Sequence, residues 1–215
     1  MIYPLLFSFA LPAVTAYVEA RSVARIPILL PAFTFFYLVL AGVIPTAIAS
    51  YSIVGEKVEK SLEPLLATPT TDSEILFGKG ISAFLPPIAG ILGGATIFMA
   101  LMDFVTRSKL GYYFFPNLNA DIILFLLVPL VAIMSVGWNI IVSSRVSDVR
   151  IAAQIGALIV IPFFGIFVLS EINIIDLGVT SNLLYVGAAL VAVDVILLIL
   201  ARAAFRREEI LTKWK

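Results

Sequence analysis

Neither cysteine nor histidine occurs in the 215 residues, and charged residues make up only 13% of them. The first absence excludes disulfides, thiolate nucleophiles, imidazole acid–base chemistry and the usual zinc ligands, and it leaves the redox compartment unreadable. Any chemistry must rest on carboxylates or hydroxyls. The scarcity of charge goes with an excess of apolar side chains: 61% of the chain is hydrophobic and its mean hydropathy is +1.11. A soluble domain holds roughly 45–50% apolar residues, so a water-soluble enzyme is excluded. Net charge is zero, from 14 basic and 14 acidic residues, so no whole-molecule field draws nucleic acid or an acidic partner.

Charges and turn formers divide the chain into apolar stretches at about 1–18, 28–54, 80–102, 119–143, 151–170 and 182–205. A membrane-spanning helix needs about 20 apolar residues, so these stretches predict an all-α, polytopic membrane helix bundle with six transmembrane helices. Little is left over for a soluble domain, and residues 1–215 read as one transmembrane domain. Pro4 and Pro12 interrupt the first stretch, and a second reading lays it in the membrane interface and leaves five spans. No Lys or Arg precedes Arg21, so this apolar start lacks the basic region of a secretory signal and reads as a retained span. Unbroken runs such as IILFLLVPLVAIM exclude the alternation of a transmembrane barrel. Pro45, the Pro86–Pro87 pair, Pro129 and Pro162 predict interruptions in the helical ladder. Gly90 and Gly94, with Gly93 beside them, form a GxxxG that suits close helix packing.

Basic residues near span ends tend to stay on the cytoplasmic side. With six spans, one side holds ten of the fourteen: Lys57, Lys60, Lys79, Arg145, Arg150, Arg202, Arg206, Arg207, Lys213 and Lys215. The other holds Arg21, Arg25, Arg107 and Lys109. The asymmetry predicts a multi-pass protein of the cell membrane with both termini inside and residues 206–215 as a cytoplasmic tail.

The long polar passage on that inner side is Gly55 to Lys79, GEKVEKSLEPLLATPTTDSEILFGK. Glu56 and Lys60 stand four apart in the favourable acid-first order, which extends the second span as helix for about one more turn. Ser61 then caps a short helix over about 61–68, with Glu63 complementing its positive end, Pro64 within its first turn and Pro69 stopping it. Leu62, Leu65 and Leu66 share one face of it. Isolated helices under about 12–15 residues are marginal in water, so this one must pack on the membrane domain, the bilayer surface or a separate protein. Thr71 and Glu74 make a capping box that opens the third span, with Asp72 in its first turn.

This passage resembles the segment between the second and third spans of type-2 ABC transporter permeases, whose pattern runs roughly G-E-K-E-x-G-T-L-E-P-L-L-A-T-P-V-x-x-x-E-I-L-x-G-K. Gly55, Glu56, Lys57, Leu62, Glu63, Pro64, Leu65, Leu66, Ala67, Thr68, Pro69, Glu74, Ile75, Leu76, Gly78 and Lys79 match it in register. Lys60–Ser61 replaces the usual Gly-Thr, and Thr70 replaces a common Val. The resemblance implies a non-enzymatic membrane subunit of an exporter, moving an unidentified cargo with ATP hydrolysed elsewhere. In that family the segment is a coupling helix seated in a groove of a separate ATPase subunit. By position, Glu59, Ser61, Leu62, Glu63, Leu65, Leu66, Thr68 and Pro69 would make this contact, and Arg145, Asp148 and Arg150 a smaller second one. For the arginines, anchoring at the inner membrane face is the alternative. Two membrane subunits, identical or related, and two ATPase subunits would complete the transporter, surrounded by lipid. No GxxxxGK[ST] cradle occurs in the chain, so ATP and magnesium belong to the partner. No metal ligand set is expected here.

Polar groups at membrane depth are candidates for a cargo path, because Asp costs about 2.5–3.5 kcal/mol at a span centre on insertion scales. Asp194 is mid-way along the last span, and Asp121 is the other deep acid. Asp194 suits a cargo or ion contact, or a hydrogen-bonded helix contact. An ion-coupled secondary carrier using this carboxylate is the alternative function. Asn139 is a further path candidate, though it and Gln154 better suit hydrogen bonds between helices. Phe35, Phe36, Phe163 and Phe164 could line a greasy path or simply fill a core. Tyr112, Tyr113, Phe114 and Phe115 predict an aromatic belt at the outer interface.

Overall fold

The computed structural model describes residues 26–56, 70–172 and 176–204, together with isolated positions 10, 13, 14, 17 and 174. All regular elements among the described residues are helical. In order they are α1 (Ile26–Ser50), α2 (Asp72–Leu110), α3 (Leu118–Ile122), α4 (Val128–Arg145), α5 (Val149–Ala157), α6 (Ile161–Glu171) and α7 (Thr180–Ala204). Four helical stretches are long and apolar enough to cross a membrane: Asp72–Ser108, Leu118–Arg145, Val149–Ser170 and Thr180–Ala204. The chain is therefore a membrane-embedded helical protein. These stretches contain or closely overlie the expected spans at 80–102, 119–143, 151–170 and 182–205, and α1, 25 residues long, covers most of 28–54. The expected first span at 1–18 lies outside the described residues apart from the isolated positions, and the expected tail at 206–215 lies wholly outside them.

Two of the expected interruptions appear as changes in helical ladder. Pro129 follows a wide turn over Ile123–Leu127, where the N–H of Val128 donates to the carbonyl of Ile123, five residues back. Pro162 follows a tight turn over Leu158–Val160, where the N–H of Ile161 donates to the carbonyl of Leu158, three residues back. A proline lacks a donor and crowds the preceding turn, so placing it where the ladder already changes pitch limits its cost. Pro45 and the Pro86–Pro87 pair instead lie inside α1 and α2. Near Pro45 the Ser135 hydroxyl donates to the Gly42 carbonyl at 2.7 Å, joining α4 to α1.

The stretch Leu118–Arg145 is the centre of the bundle, with 61% of its apolar window buried against 33% for the window in Asp72–Ser108 and 28% for that in α7. Around it, Tyr37, Leu38, Phe98, Ile91, Leu124, Leu127 and Leu183 form a continuous core from α1, α2, the wide turn and α7. The α7 face that meets it is Leu183, Gly187, Leu190, Asp194, Leu197 and Ala201, spaced by three and four. Backbones come close at small residues: a Cβ on Gly187 would lie 3.2 Å from Leu127, and one on Gly137 3.5 Å from Leu197. Lipid offers apolar side chains as good an environment as a neighbouring helix does, so such close packing and interhelical hydrogen bonds hold these helices together.

Of the expected GxxxG and its neighbour, Gly94 is buried, Gly90 is half-buried and Gly93 is exposed. A Cβ on Gly90 or Gly93 would meet nothing within 4 Å. The tightest glycine is Gly156 of α5, where a Cβ would fall 2.2 Å from Nδ2 of Asn139 and 3.3 Å from Cβ of Thr46. That contrast yields a prediction. Gly156→Ala is expected to destabilise the protein by about 1–3 kcal/mol through overpacking, while Gly93→Ala is neutral or gains up to about 1 kcal/mol of helix propensity. Thermal unfolding of the two purified variants in detergent checks this, and equal melting temperatures would refute it.

Candidate functional site

The helices alternate in direction, which brings three connections to one end of the bundle: the ends of the 57–69 segment, the turn between α4 and α5, and the end of α7. Packing fixes their proximity. Val54, Val142 and Ala152 form one small core there with Val146 and Val149, while Ala49, Ile75, Leu76, Ala83, Val136, Ile140 and Ala201 form another. The guanidinium of Arg202 lies 4.9 Å from the ring centre of Phe77. At the opposite end, the Asn119 amide donates to the Gly178 carbonyl at 2.6 Å and accepts from Thr180 at 2.7 Å.

Both borders of the 57–69 segment are built by identifiable local chemistry. On the α2 side, Thr71 accepts from the N–H of Glu74, and the Glu74 carboxylate accepts from the N–H of Thr71 at 2.7 Å, the reciprocal pair expected from the sequence. On the α1 side, the ladder widens over Tyr51–Gly55 before Glu56. Glu56 pairs with Lys79 of α2, whose ammonium also donates to the Ser52 carbonyl at 2.7 Å. The intervening residues, including Glu59, Ser61, Leu62, Glu63, Leu65, Leu66, Thr68 and Pro69, lie outside the described residues, as does Lys60, the expected helical partner of Glu56.

Arg145, Asp148 and Arg150 are exposed at the same end. Asp148 has a local structural role: its Oδ1 accepts from the N–H groups of Arg150 at 2.7 Å and Ile151 at 3.3 Å, capping α5. The two arginines flank this cap, one closing α4 and the other opening α5.

The expected path residues do not converge on one place. Phe35 and Phe163 are buried in the main core, Phe36 packs at its edge, and Phe164 is 60% exposed on the outer face. Asn139 is fully buried and joins α1 to α4: its Nδ2 donates to Ser50 at 2.9 Å, and its Oδ1 accepts from Ser143 at 2.8 Å. Ser50 in turn donates to the Thr46 carbonyl at 2.7 Å. Gln154 is exposed on α5. Asp194 lies in the α7 face packed on the core, 5% exposed, and neither carboxyl oxygen has a hydrogen-bond partner among the described residues. Asp121 is in the first turn of α3, beside the opposite end of the bundle rather than deep within it.

The outer aromatic cluster divides. Tyr112 and Tyr113 are exposed as a belt requires, but Phe115 is buried in the core against Phe98, their ring centres 6.1 Å apart. The reason is the connection's anchor: Asp103 accepts from the N–H groups of Phe114 at 2.9 Å and Phe115 at 3.0 Å, drawing the chain inward. Lys79, Ser50 and Gly156 had no local sequence signal for these contacts, because their partners lie in other helices, beyond the reach of three-and-four spacing; Ser143, four residues after Asn139, is within that reach.

The Asp194 geometry predicts the result of removing its charge. A buried polar group without a partner costs about 1–3 kcal/mol, so Asp194→Val is expected to raise stability in detergent by about that amount. Thermal unfolding measures it. A large loss instead would show that the carboxyl acquires a partner in the folded protein in its working environment. Compared with known proteins, the chain matches no family model and no curated sequence.

Proposed function

We propose that the chain is the membrane-spanning subunit of an ATP-binding cassette transporter of the type-2 permease kind, acting as an exporter in the cell membrane. The observation that carries this is the in-register resemblance of residues 55–79. Its physical content is an apolar leucine face on a segment too short to be stable alone, which calls for a partner surface. The fold is compatible with that use. The borders of the segment, the Arg145 to Arg150 turn and the end of α7 share one end of the bundle, the side to which the basic residues assign the cytoplasm.

In this mechanism the chain carries out no hydrolysis. Two copies of a separate ATPase close on ATP and magnesium, and each pulls or pushes a segment at 57–69. The load enters α1 at the wide turn Tyr51–Gly55 and α2 at its capped start, the two helices that border the segment. From α1 it passes to the central α4 through Asn139, Ser50 and Ser143. A second membrane subunit, identical or related, completes the complex. With the sixth span, at 1–18, both termini lie inside.

A second reading is favoured by one observation, the buried carboxyl of Asp194, which has no hydrogen-bond partner among the described residues. An ion-coupled carrier would use it to bind a proton or cation at membrane depth. The two readings separate on the energy source. Co-expression with an ABC ATPase subunit encoded beside this chain, where the proposed function places one, is expected to give a complex that co-purifies and hydrolyses ATP. Leu65→Asp or Leu66→Asp buries a charge in the docking groove and should weaken co-purification by about 10- to 100-fold. Intact co-purification of both variants, or transport in reconstituted vesicles that proceeds without ATP and stops in Asp194→Asn, would overturn the assignment.

A further inference from the structure

The 57–69 segment is bordered by two helices that are fastened to each other. At the base, Ala49 of α1 packs with Ile75, Leu76 and Ala83 of α2. Above this apolar contact, the Lys79 ammonium bridges Glu56 and the Ser52 carbonyl, and its side chain is only 8% exposed. Glu56 is 34% exposed. The lysine is thus the buried member, with its charge held by α1 although its backbone belongs to α2. An ammonium in such a place has strong reason to keep both acceptors, because leaving one behind strands a poorly solvated charge.

We propose that Lys79 is a positioning residue, a latch that makes the end of α1 and the start of α2 move as one body when the segment between them is loaded. The inference rests on the reading of 57–69 as the ATPase-docking segment. Without the latch, displacing the segment moves one border alone, and the stroke is spent in separating two helix ends rather than in shifting both. Apolar packing between α1 and α2, in the main core and beneath this end, is non-directional, whereas the ion pair ties a point on one helix to two points on the other.

The chain has no cysteine, so introduced thiols report without background. Ala47→Cys on α1 and Ser73→Cys on α2 are both exposed sites, and spin labels on them give the distance between the two borders by pulsed electron resonance. The full complex with its ATPase is measured in lipid discs, without nucleotide and after trapping with MgATP and vanadate. The expected result is one narrow distance, the same in both states, with Lys79→Met broadening it by about twofold or making it state-dependent, as local opening does. Lys79→Arg keeps the charge and donors and should retain the narrow distance. Met preserves the apolar stem, so the variant should still assemble with the ATPase, and co-purification verifies that it is folded.

A Lys79→Met distribution identical to the parent in both states overturns the latch, as does a parent distance that itself changes on trapping. If no ATPase co-purifies with the parent chain, the transporter reading has failed. The same labels in the chain alone still decide the latch, by whether Lys79→Met widens the distance there.

Discussion

A helix with apolar residues on every side has no hydrophobic reason to leave lipid for another helix, and this fold depends on the few contacts that supply one. The node at Asn139 is the most concentrated of them. Its amide joins Ser50 of α1 to Ser143 of its own helix, and Gly156 of α5 lies so close to the amide that no side chain fits between. One buried group therefore sets the spacing of three helices. The Ser135 to Gly42 bond repeats the link between α1 and α4 further along. Each works because a hydroxyl or amide can reach a neighbouring backbone only where small residues let the helices approach.

The same logic changes character at the end of the bundle where the 57–69 segment begins and ends. There the linking groups are ionic, and they join α1 to α2 rather than α1 to α4. A neutral amide serves at depth, where a charge would be costly. A lysine whose partner is one-third exposed serves near the surface, where water still helps to solvate the pair. The bundle is thus held by neutral hydrogen bonds in its body and by an ion pair at the place where force is proposed to enter.

Much of this layout could be read from the residues, and the unread part has a common cause. The apolar stretches located the helices because length and composition are local properties. Thr71 and Glu74 announced the start of α2 for the same reason, since a capping box is complete within four positions. Pro129 and Pro162 marked ladder changes, though not their kind, wide in one case and tight in the other. Lys79 is different. Its partners lie in another helix, and nothing in the run GKG distinguishes a buried, paired lysine from a solvated one. Phe115 was misplaced at the interface because the inward pull of Asp103 is set by the connection's geometry, not by aromatic content.

Asn139 and Asp194 show how burial alone misleads about role. Both are polar and both are buried, Asn139 on the central α4 and Asp194 on the α7 face that packs against it. Asn139 makes hydrogen bonds on both its nitrogen and its oxygen, so its burial is compensated, and it belongs to the scaffold. Among the described residues Asp194 has no hydrogen-bond partner on either oxygen, so nothing in the described helices explains why a carboxyl rather than a leucine interrupts the series Leu183, Leu190 and Leu197. A scaffold role would be served better by an apolar residue there, since replacing a buried unpartnered group by a hydrophobic one usually costs nothing. The sequence had already favoured a bridging role for Asn139, and its hydrogen bonds to Ser50 and Ser143 are of that kind.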